Sequence, residues 1–536
     1  MPRADFALIR GRFRAPGLPG ATALAASAGR IIAVGSDAQI RDLTGAETII
    51  FDAAGACVIP GLIDAHLHFL PGGLRLRRLD LSGVEGRRSF ADMVAAYAAK
   101  QPHGAWIEGG GWSNDAWSDS SPPHRDWIDA ATGGRPCYLL RMDCHAALVD
   151  SAALSAAGIT DAGPADPPGG LIDRDPATGR PTGILRDAAM RLVQAAIPLP
   201  TESQRDAALL DAQRHAHALG LTTVHNMLDL PDWPAVRRAR DAGTLTIRLF
   251  NIVHQPPDAV GIEAWRSMQP GDARVWCGAC KNYMDGSLGS RTAWMLEPYR
   301  DGAPGEAARG LRVDGAAGDA LLLDQWLAAD RAGLQLCTHA IGDAANRRLL
   351  ELYEEVARRN GPRDRRCRVE HAQHLDAADV LRFAALGAIA SMQPLHKRED
   401  GAFAERVLGA QRAAGSYRFR ELLNAGAVLA FGSDWPIVSL NPFEGIHTAV
   451  TGRTRRAGAV GSEDAWLPHQ NLTVGETLAA YTRGAAYACG RERDLGQLRP
   501  GFLCDATVLN RDPFDVEPDE LAEIHPTATI VNGRIV

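Results

Sequence analysis

The chain has 536 residues, of which 46% are hydrophobic and 23% charged, with a formal net charge of −7; this is globular composition with neither sign of charge concentrated. No basic tract offers a footprint for nucleic acid or an anionic membrane, and glycine or proline interrupts every apolar run well short of the about 20 residues that cross a bilayer. Nine cysteines without a tight spacing framework, and an N-terminal stretch lacking the apolar core and cleavage site of a signal peptide, predict a cytoplasmic protein in a reducing compartment.

Residues 1–58, with "DFALIRGRF", "ALAASAGRIIAVGS" and "ETIIFDAAGACVIP", read as short strands joined by glycine-bearing turns. Residues 488–536, with "GQLRPGFLCDATVLNRDPF" and "PTATIVNGRIV", have the same texture. Neither end has enough apolar surface to fold alone, so the two are expected to assemble one small β domain.

Residues 59–487 change to apolar strands alternating with alanine-rich helical stretches. The opening run "VIPGLIDAHLHF" ends in His66 and His68. On a strand, residues two apart share a face with Cα atoms about 6.5–7 Å apart, so both rings can converge on one ion. The stretch from about 71 to 200, with "EGGGWSNDAW", "SPPHRDW" and "PADPPGG", is loop-rich and reads as a long excursion over the end of the first strand. His215 and His217 in "QRHAHALG" repeat the spacing, but they continue a helical run that stops at Gly220. Helix positions two apart lie about 200° apart around the axis, so this second pair cannot chelate.

Further runs, "CYLLRMD", "LTTVHNM", "TIRLFNIV", "RVWCGACK", "LQLCTHA", "RCRVEHA", "AIASMQP" and "VLAFGSD", bring the strand candidates to nine. Their alternation with helical patterns is the rhythm of a (β/α)8 barrel, and one of the nine must lie outside it. Cys277 and Cys280 form a CxxC on one of these strands, where residues three apart face opposite ways; without a second CxxC they are read as packing residues. Four histidines and a carboxylate end inferred strands: His66, His68, His339 in "CTHAIGD", His371 in "RVEHAQ" and Asp434 in "AFGSDWP". A barrel opens its active site at the C-terminal ends of its strands. These five would meet there as nitrogen and oxygen ligands that zinc, manganese, iron or cobalt accept.

The motifs "PGLIDAHLH", "RMDCHAALVDSAAL", "DRDPATGRPTGIL", "KNYMDGSLGSRTA", "THAIGDAAN", "RVEHAQ", "ASMQPLH" and "GSDWPI", with the closing "AAYTRGAAYA" and "GQLRPGFLCDATVLNRDPF", run through nearly the whole chain. They resemble the amidohydrolase superfamily of metal-dependent hydrolases, and within it amidohydrolase family 3, the YtcJ-like branch that includes N-substituted formamide deformylases. The resemblance implies an α/β fold: a distorted TIM (β/α)8 barrel over 59–487, with a small composite β-sandwich domain built from both termini. It also implies that Lys281 in "CKNYMDG" reacts with carbon dioxide to give a carbamate, an oxygen-donating anion that bridges two metals. The alternative keeps Lys281 a cation that binds substrate or pairs with Asp285.

With this ligand set, one or two divalent ions, zinc first and manganese, iron or cobalt as alternatives, would lower the pKa of a water and polarise a substrate carbonyl. Asp434 would take the proton of that water and pass it to the leaving nitrogen, or else serve as a ligand only. His145 in "RMDCHAAL" is a candidate oxyanion donor, against an ordinary loop histidine. Asp285, Ser287 and Arg291 of "DGSLGSRT" are substrate-binding candidates, Arg291 as an anchor or in an ion pair that holds the loop. Gln393, His396 and Trp112, with Trp117 and Trp294, would line the pocket, although aromatics in long loops also simply pack them. Cys144 and Leu148 replace the glycine and aromatic of many relatives and would reshape the pocket wall. The expected reaction is hydrolysis of an amide C–N bond, N-substituted formamides and N-acyl amines first, with a lactone, ester or carbamate as the alternative substrate. The complete ligand set speaks against a non-catalytic scaffold. The expected partners are a small-molecule amide and a second copy of the chain in a homodimer, with neither nucleic acid nor membrane.

Overall fold

Eight parallel strands in sequential order make the central sheet of the computed structural model. It describes residues 3–14, 17, 20–112, 114, 117, 123–141, 146–167, 170–254, 262, 265, 268, 272–301, 306–312, 318–454 and 465–536. The strands are β1 (Leu62–Leu67), β2 (Leu221–Leu228), β3 (Arg248–His254), β4 (Val275–Tyr283), β5 (Gln335–Ala340), β6 (Arg368–His371), β7 (Ile389–Met392) and β8 (Val428–Phe431). They are buried nearly end to end, as parallel strands covered on both faces must be.

The helices between them show why the sequence alternates. In α1 (Asp343–Asn360), Leu349, Leu352, Tyr353 and Val356 recur at helical spacing and are buried, and the Tyr353 hydroxyl donates to the Arg368 carbonyl of β6 at 2.9 Å. Asp376 caps α2 (Ala377–Leu386) through the Ala378 N–H, and Gly387 ends it in the left-handed conformation at φ 62°. Among the described residues no helix is long and apolar enough to cross a membrane.

Among the described residues no ladder joins β8 back to β1. A buried carboxylate does that work: Asp64 on β1 accepts from the Ser433 N–H at 3.1 Å and from the His66 N–H at 2.9 Å. The Asp434 N–H donates to the His66 carbonyl at 2.6 Å, and the His68 N–H to the Trp435 carbonyl at 2.8 Å. Gly432 lies so close to this seam that an added Cβ would stand 2.4 Å from the His66 nitrogen. Ile63, Ala65, Ile389 and Ala430 pack with Ala485, Ala486 and Ala488 of the alanine-rich helix Ala485–Ala488. Gly484, just before that helix, leaves no room for a Cβ against the Leu429 carbonyl, which would lie at 2.0 Å.

Strands from both chain ends share a five-stranded sheet: Arg12–Phe13, Cys57–Pro60, Ala506–Leu509, Pro526–Val531 and Arg534–Ile535. A four-stranded sheet of Phe6–Ile9, Ala23–Ser27, Arg30–Gly35 and Ile49–Asp52 adds Phe6, Leu8 and Leu24 to a cluster with Val58, Cys504, Val508 and Ile530. Arg248 on β3 is buried against Asp505 at 2.6 Å, the pairing that a guanidinium out of water requires.

Contacts divide the chain into one unit of Met1–Gly72 with Leu209–Val536 and a second of Gly73–Ala208. The second unit carries its own six-stranded sheet, with Ile107–Trp112, Cys137–Arg141, Ala146–Val149 and Pro181–Asp187 at its centre. Cys137–Arg141, the described part of the run "CYLLRMD", belongs to this sheet, which identifies that strand candidate as the one outside the barrel. In "IEGGGW", Gly109 and Gly110 let the Leu79 and Leu140 carbonyls approach within 2.4 Å of where a Cβ would stand. A glycine-rich strand of this kind reads as loop because it lacks alternating side chains.

Candidate metal centre

β1 delivers His66, and His68 follows directly after the strand; β5 carries His339, β6 ends in His371, and Asp434 sits three residues past β8. The structure brings these five side chains together. Ring centroids of His66 and His371 are 4.9 Å apart, those of His339 and His371 4.5 Å, and those of His66 and His68 6.0 Å. Asp434 Oδ1 lies 3.4 Å from His66 Nε2 and 3.3 Å from His68 Nε2. Ligand atoms of His66, His371 and Asp434 all fall within 4.8 Å of one another. Two of these residues hold uncommon backbone, His371 at φ 77° and Asp434 at φ 61°. Side chains rarely adopt that left-handed region, and such strain collects at functional sites.

Hydrogen-bond partners decide which nitrogen of each ring is available. His66 Nδ1 meets Glu370 Oε2 at 2.6 Å; an ionised carboxylate only accepts, so Nδ1 carries the proton and Nε2 keeps its lone pair. The Gln393 side-chain N–H donates to the Ser391 carbonyl, so its Oε1 faces His371 Nδ1 at 2.8 Å and again leaves Nε2 as the free donor. His339 is reversed: its Nε2–H donates to the Gly286 carbonyl at 3.0 Å, leaving Nδ1. A divalent ion would therefore take His66 and His371 through Nε2 and His339 through Nδ1. His66 Nε2 and Asp434 Oδ1 are buried and have no hydrogen-bond partner among the described residues. Stranding such atoms is costly, and a cation fits between them.

The electrostatics agree. Burial holds His371 well below the usual imidazole range and brings His339 down to about 3, so both stay neutral, as metal ligation requires. Burial alone would raise the Asp434 carboxyl, but positive charge at the place of His66 outweighs it and holds the carboxyl well below its ordinary value, a charge that a bound cation would supply with His66 left neutral. Lys281 on β4 is buried, and desolvation lowers its amine. Its Nζ sits 4.8 Å above the Tyr283 ring.

Other candidate residues take different places. Asp285 makes no ion pair with Lys281; it is buried and accepts from the backbone N–H groups of Ile341, Gly342 and Trp294 at 2.8–3.0 Å. It pins the loop after β4 to the loop after β5. Arg291 pairs with Asp301, which matches the loop-holding alternative. Ser287 sits in a hydroxyl cluster with Ser290 at 2.8 Å. Gln393, expected on the pocket wall, is fully buried and spent on His371. His396 stacks on His371 at 5.8 Å, its Nε2 3.7 Å from Asp434 Oδ2. Trp112, also expected to line the pocket, lies instead in the core of the second unit, 1% exposed, its indole donating to the Leu139 carbonyl. There it meets Phe90 at 5.8 Å in a cluster that also holds Trp117 and Trp127, because a large apolar ring gains most where it is fully enclosed. His145 and Cys144 lie outside the described residues.

Sequence reasoning passed over the layer beneath the ligands. Arg368 and Glu370 on β6 are fully buried. Arg368 Nε meets Glu370 Oε1 at 2.7 Å, and its other nitrogens reach the Ala65 carbonyl, Ser391 Oγ and His225 Nδ1 at 2.6, 2.9 and 3.0 Å. The signal was present: Arg368 and Glu370 are two apart on a strand, the same spacing that singled out His66 and His68.

A family model described as "Amidohydrolase family" matches residues 49–536. "Protein LONG AFTER FAR-RED 3" of Arabidopsis thaliana is 37% identical over 96% of this chain and 88% of its own. "N-substituted formamide deformylase" of Arthrobacter pascens is 27% identical over 96% of this chain and 94% of its own. An uncharacterized metal-dependent hydrolase from Pyrococcus horikoshii superposes with a TM-score of 0.78 at 26% identity, covering 96% of this chain and 99% of that one. With that barrel and a buried His–His–Asp cluster at the ends of its strands, the chain belongs to the amidohydrolase family of metal-dependent hydrolases.

Proposed function

We propose that the chain hydrolyses the C–N bond of a small amide, N-substituted formamides and N-acyl amines first, using one or two divalent ions, zinc first. The observation that carries this reading is the pair of buried, unpartnered atoms His66 Nε2 and Asp434 Oδ1 inside a cluster with His371. The likeness to an N-substituted formamide deformylase over 96% of the chain supports the substrate class.

His66, His68, His339, His371 and Asp434 would hold the metal, with Lys281 as a carbamate if two ions bind. Burial supports the last step, because only a neutral amine attacks carbon dioxide and desolvation favours the neutral form. When bound, the ion supplies Lewis acidity and brings the pKa of water toward neutrality. Asp434 would take a proton from attacking water at a carboxylate oxygen and deliver it to the leaving nitrogen. Glu370 and Gln393 keep the proton on Nδ1 of His66 and His371 and so keep both rings turned the same way.

Metal analysis of the purified chain, followed by assays of N-benzylformamide, N-acetylbenzylamine and benzyl formate with zinc, manganese or cobalt and bicarbonate, tests the reading. Turnover of the formamide that disappears with chelator and returns with metal is the expected result; ester cleavage alone points to the alternative substrate class. Carbon-13 bicarbonate should add a carbamate resonance that Lys281→Ala lacks.

A further inference from the structure

Three side chains at the barrel rim, outside the expected ligand set, form a hydrogen-bonded chain. Asp229 follows β2, His254 ends β3 and Tyr283 ends β4. His254 Nδ1 is 2.6 Å from Asp229 Oδ1, and its Nε2 is 2.8 Å from the Tyr283 hydroxyl. The His254 ring stacks on His68 at 6.2 Å and on Tyr283 at 5.9 Å, and the Tyr283 ring lies 5.4 Å from His339. Strand register places His254 beside Lys281 and Tyr283 beside His339. Tyr283 is two residues beyond Lys281 on one strand, so it shares that face one step nearer the mouth.

The partners fix the protons. The Asp229 carboxylate can only accept, so His254 directs an Nδ1–H at it, and this places the His254 Nε2 opposite the Tyr283 hydroxyl as the acceptor of its proton. The single Tyr283 hydroxyl proton is then committed to His254. What Tyr283 still offers beside the ligand cluster is an oxygen lone pair, an acceptor and not a donor.

We propose that Asp229, His254 and Tyr283 form a substrate-selecting relay in which Tyr283 accepts the N–H of the scissile amide, so that the enzyme prefers secondary amides over tertiary amides and esters. Asp229 and His254 are positioning residues that act through Tyr283. The inference rests on the amide reading above for its substrate, but not for its proton arrangement.

Two measurements test it on the zinc-loaded chain. The first compares kcat/KM for N-benzylformamide and N-benzyl-N-methylformamide, which lacks the N–H. Tyr283→Phe should reduce the preference for the N–H substrate by about tenfold, the effect of one hydrogen bond. His254→Gln and Asp229→Asn should reduce it in the same direction; an unchanged ratio in Tyr283→Phe overturns the proposal. The second is a two-bond proton–nitrogen spectrum of nitrogen-15 histidine-labelled protein at pH 8, assigned with His254→Gln. An Nδ1–H tautomer upholds the relay, and an Nε2–H tautomer overturns it. If neither formamide turns over, the amide reading falls, and the tautomer alone decides the relay.

Discussion

Replacing Glu370 by Gln keeps the shape of the side chain and removes its charge. Glu370 now serves two cationic or proton-bearing partners, Arg368 at 2.7 Å and His66 Nδ1 at 2.6 Å. In the variant the amide oxygen can serve Arg368, and the amide N–H groups then face His66. A donor there forces His66 into the other tautomer, with hydrogen on Nε2, and withdraws the lone pair from the cluster with Asp434 and His371. Losing an outer partner of this kind costs about tenfold to a hundredfold in metal affinity. Arg368 is fully buried, and breaking one side of a buried ion pair costs about 3–5 kcal/mol. The Ala65 carbonyl, Ser391 Oγ and His225 Nδ1 still surround it, so the low end of that range is expected. Competition with a chromophoric chelator reads the affinity, and urea unfolding of the metal-free chain reads the stability. Metal affinity within about twofold of the parent, with a stability change under about 1 kcal/mol, would refute the reasoning.

Asp434→Asn should leave metal-loaded protein that binds substrate but turns over at least about a hundredfold more slowly, as loss of a positioned acid–base group does; surviving turnover assigns Asp434 to ligation only. Gly432→Ala and Gly484→Ala put a methyl 2.4 Å from the His66 nitrogen and 2.0 Å from the Leu429 carbonyl, and each should lose about 1–3 kcal/mol in urea unfolding. Arg248→Met alone strands Asp505 and should cost about 3–5 kcal/mol, and Arg248→Met with Asp505→Leu should recover most of it. Asp400 is half-buried, and desolvation pushes it up to about 7, although Tyr417 and Gln373 donate to its Oδ2 at 2.6 and 2.7 Å. Its folded pKa lies above the unfolded value near 4, so the folded chain holds the extra proton and stability falls as pH rises from about 4 to 7. Asp400→Asn keeps an oxygen for both donors and should be at least as stable as the parent at pH 8, with a shallower decline of stability across that window.

The local rules of the chain determined a good deal unaided. The strand alternation that puts His66 and His68 on one face, and the helical spacing that denies it to His215 and His217, both depend on neighbours in sequence. The second pair does lie on the helix Glu202–Ala218, where His217 is buried against the Leu221 carbonyl. Strand ends rich in histidine likewise marked the barrel mouth, and the βα rhythm marked nine strand candidates without showing which one lies outside the barrel. Tertiary structure alone decided the rest, because through-space partners leave no local period. Glu370 meets His66 across 304 residues, and Asp64 closes a seam to Ser433 across 369. Cys137–Arg141 and Ile107–Trp112 have strand-like or loop-like texture whichever sheet they join, and only pairing places them in the second unit. Trp112 shows the same limit: an aromatic in a glycine-rich stretch can wall a pocket or fill a core, and the choice is made by the rings that enclose it.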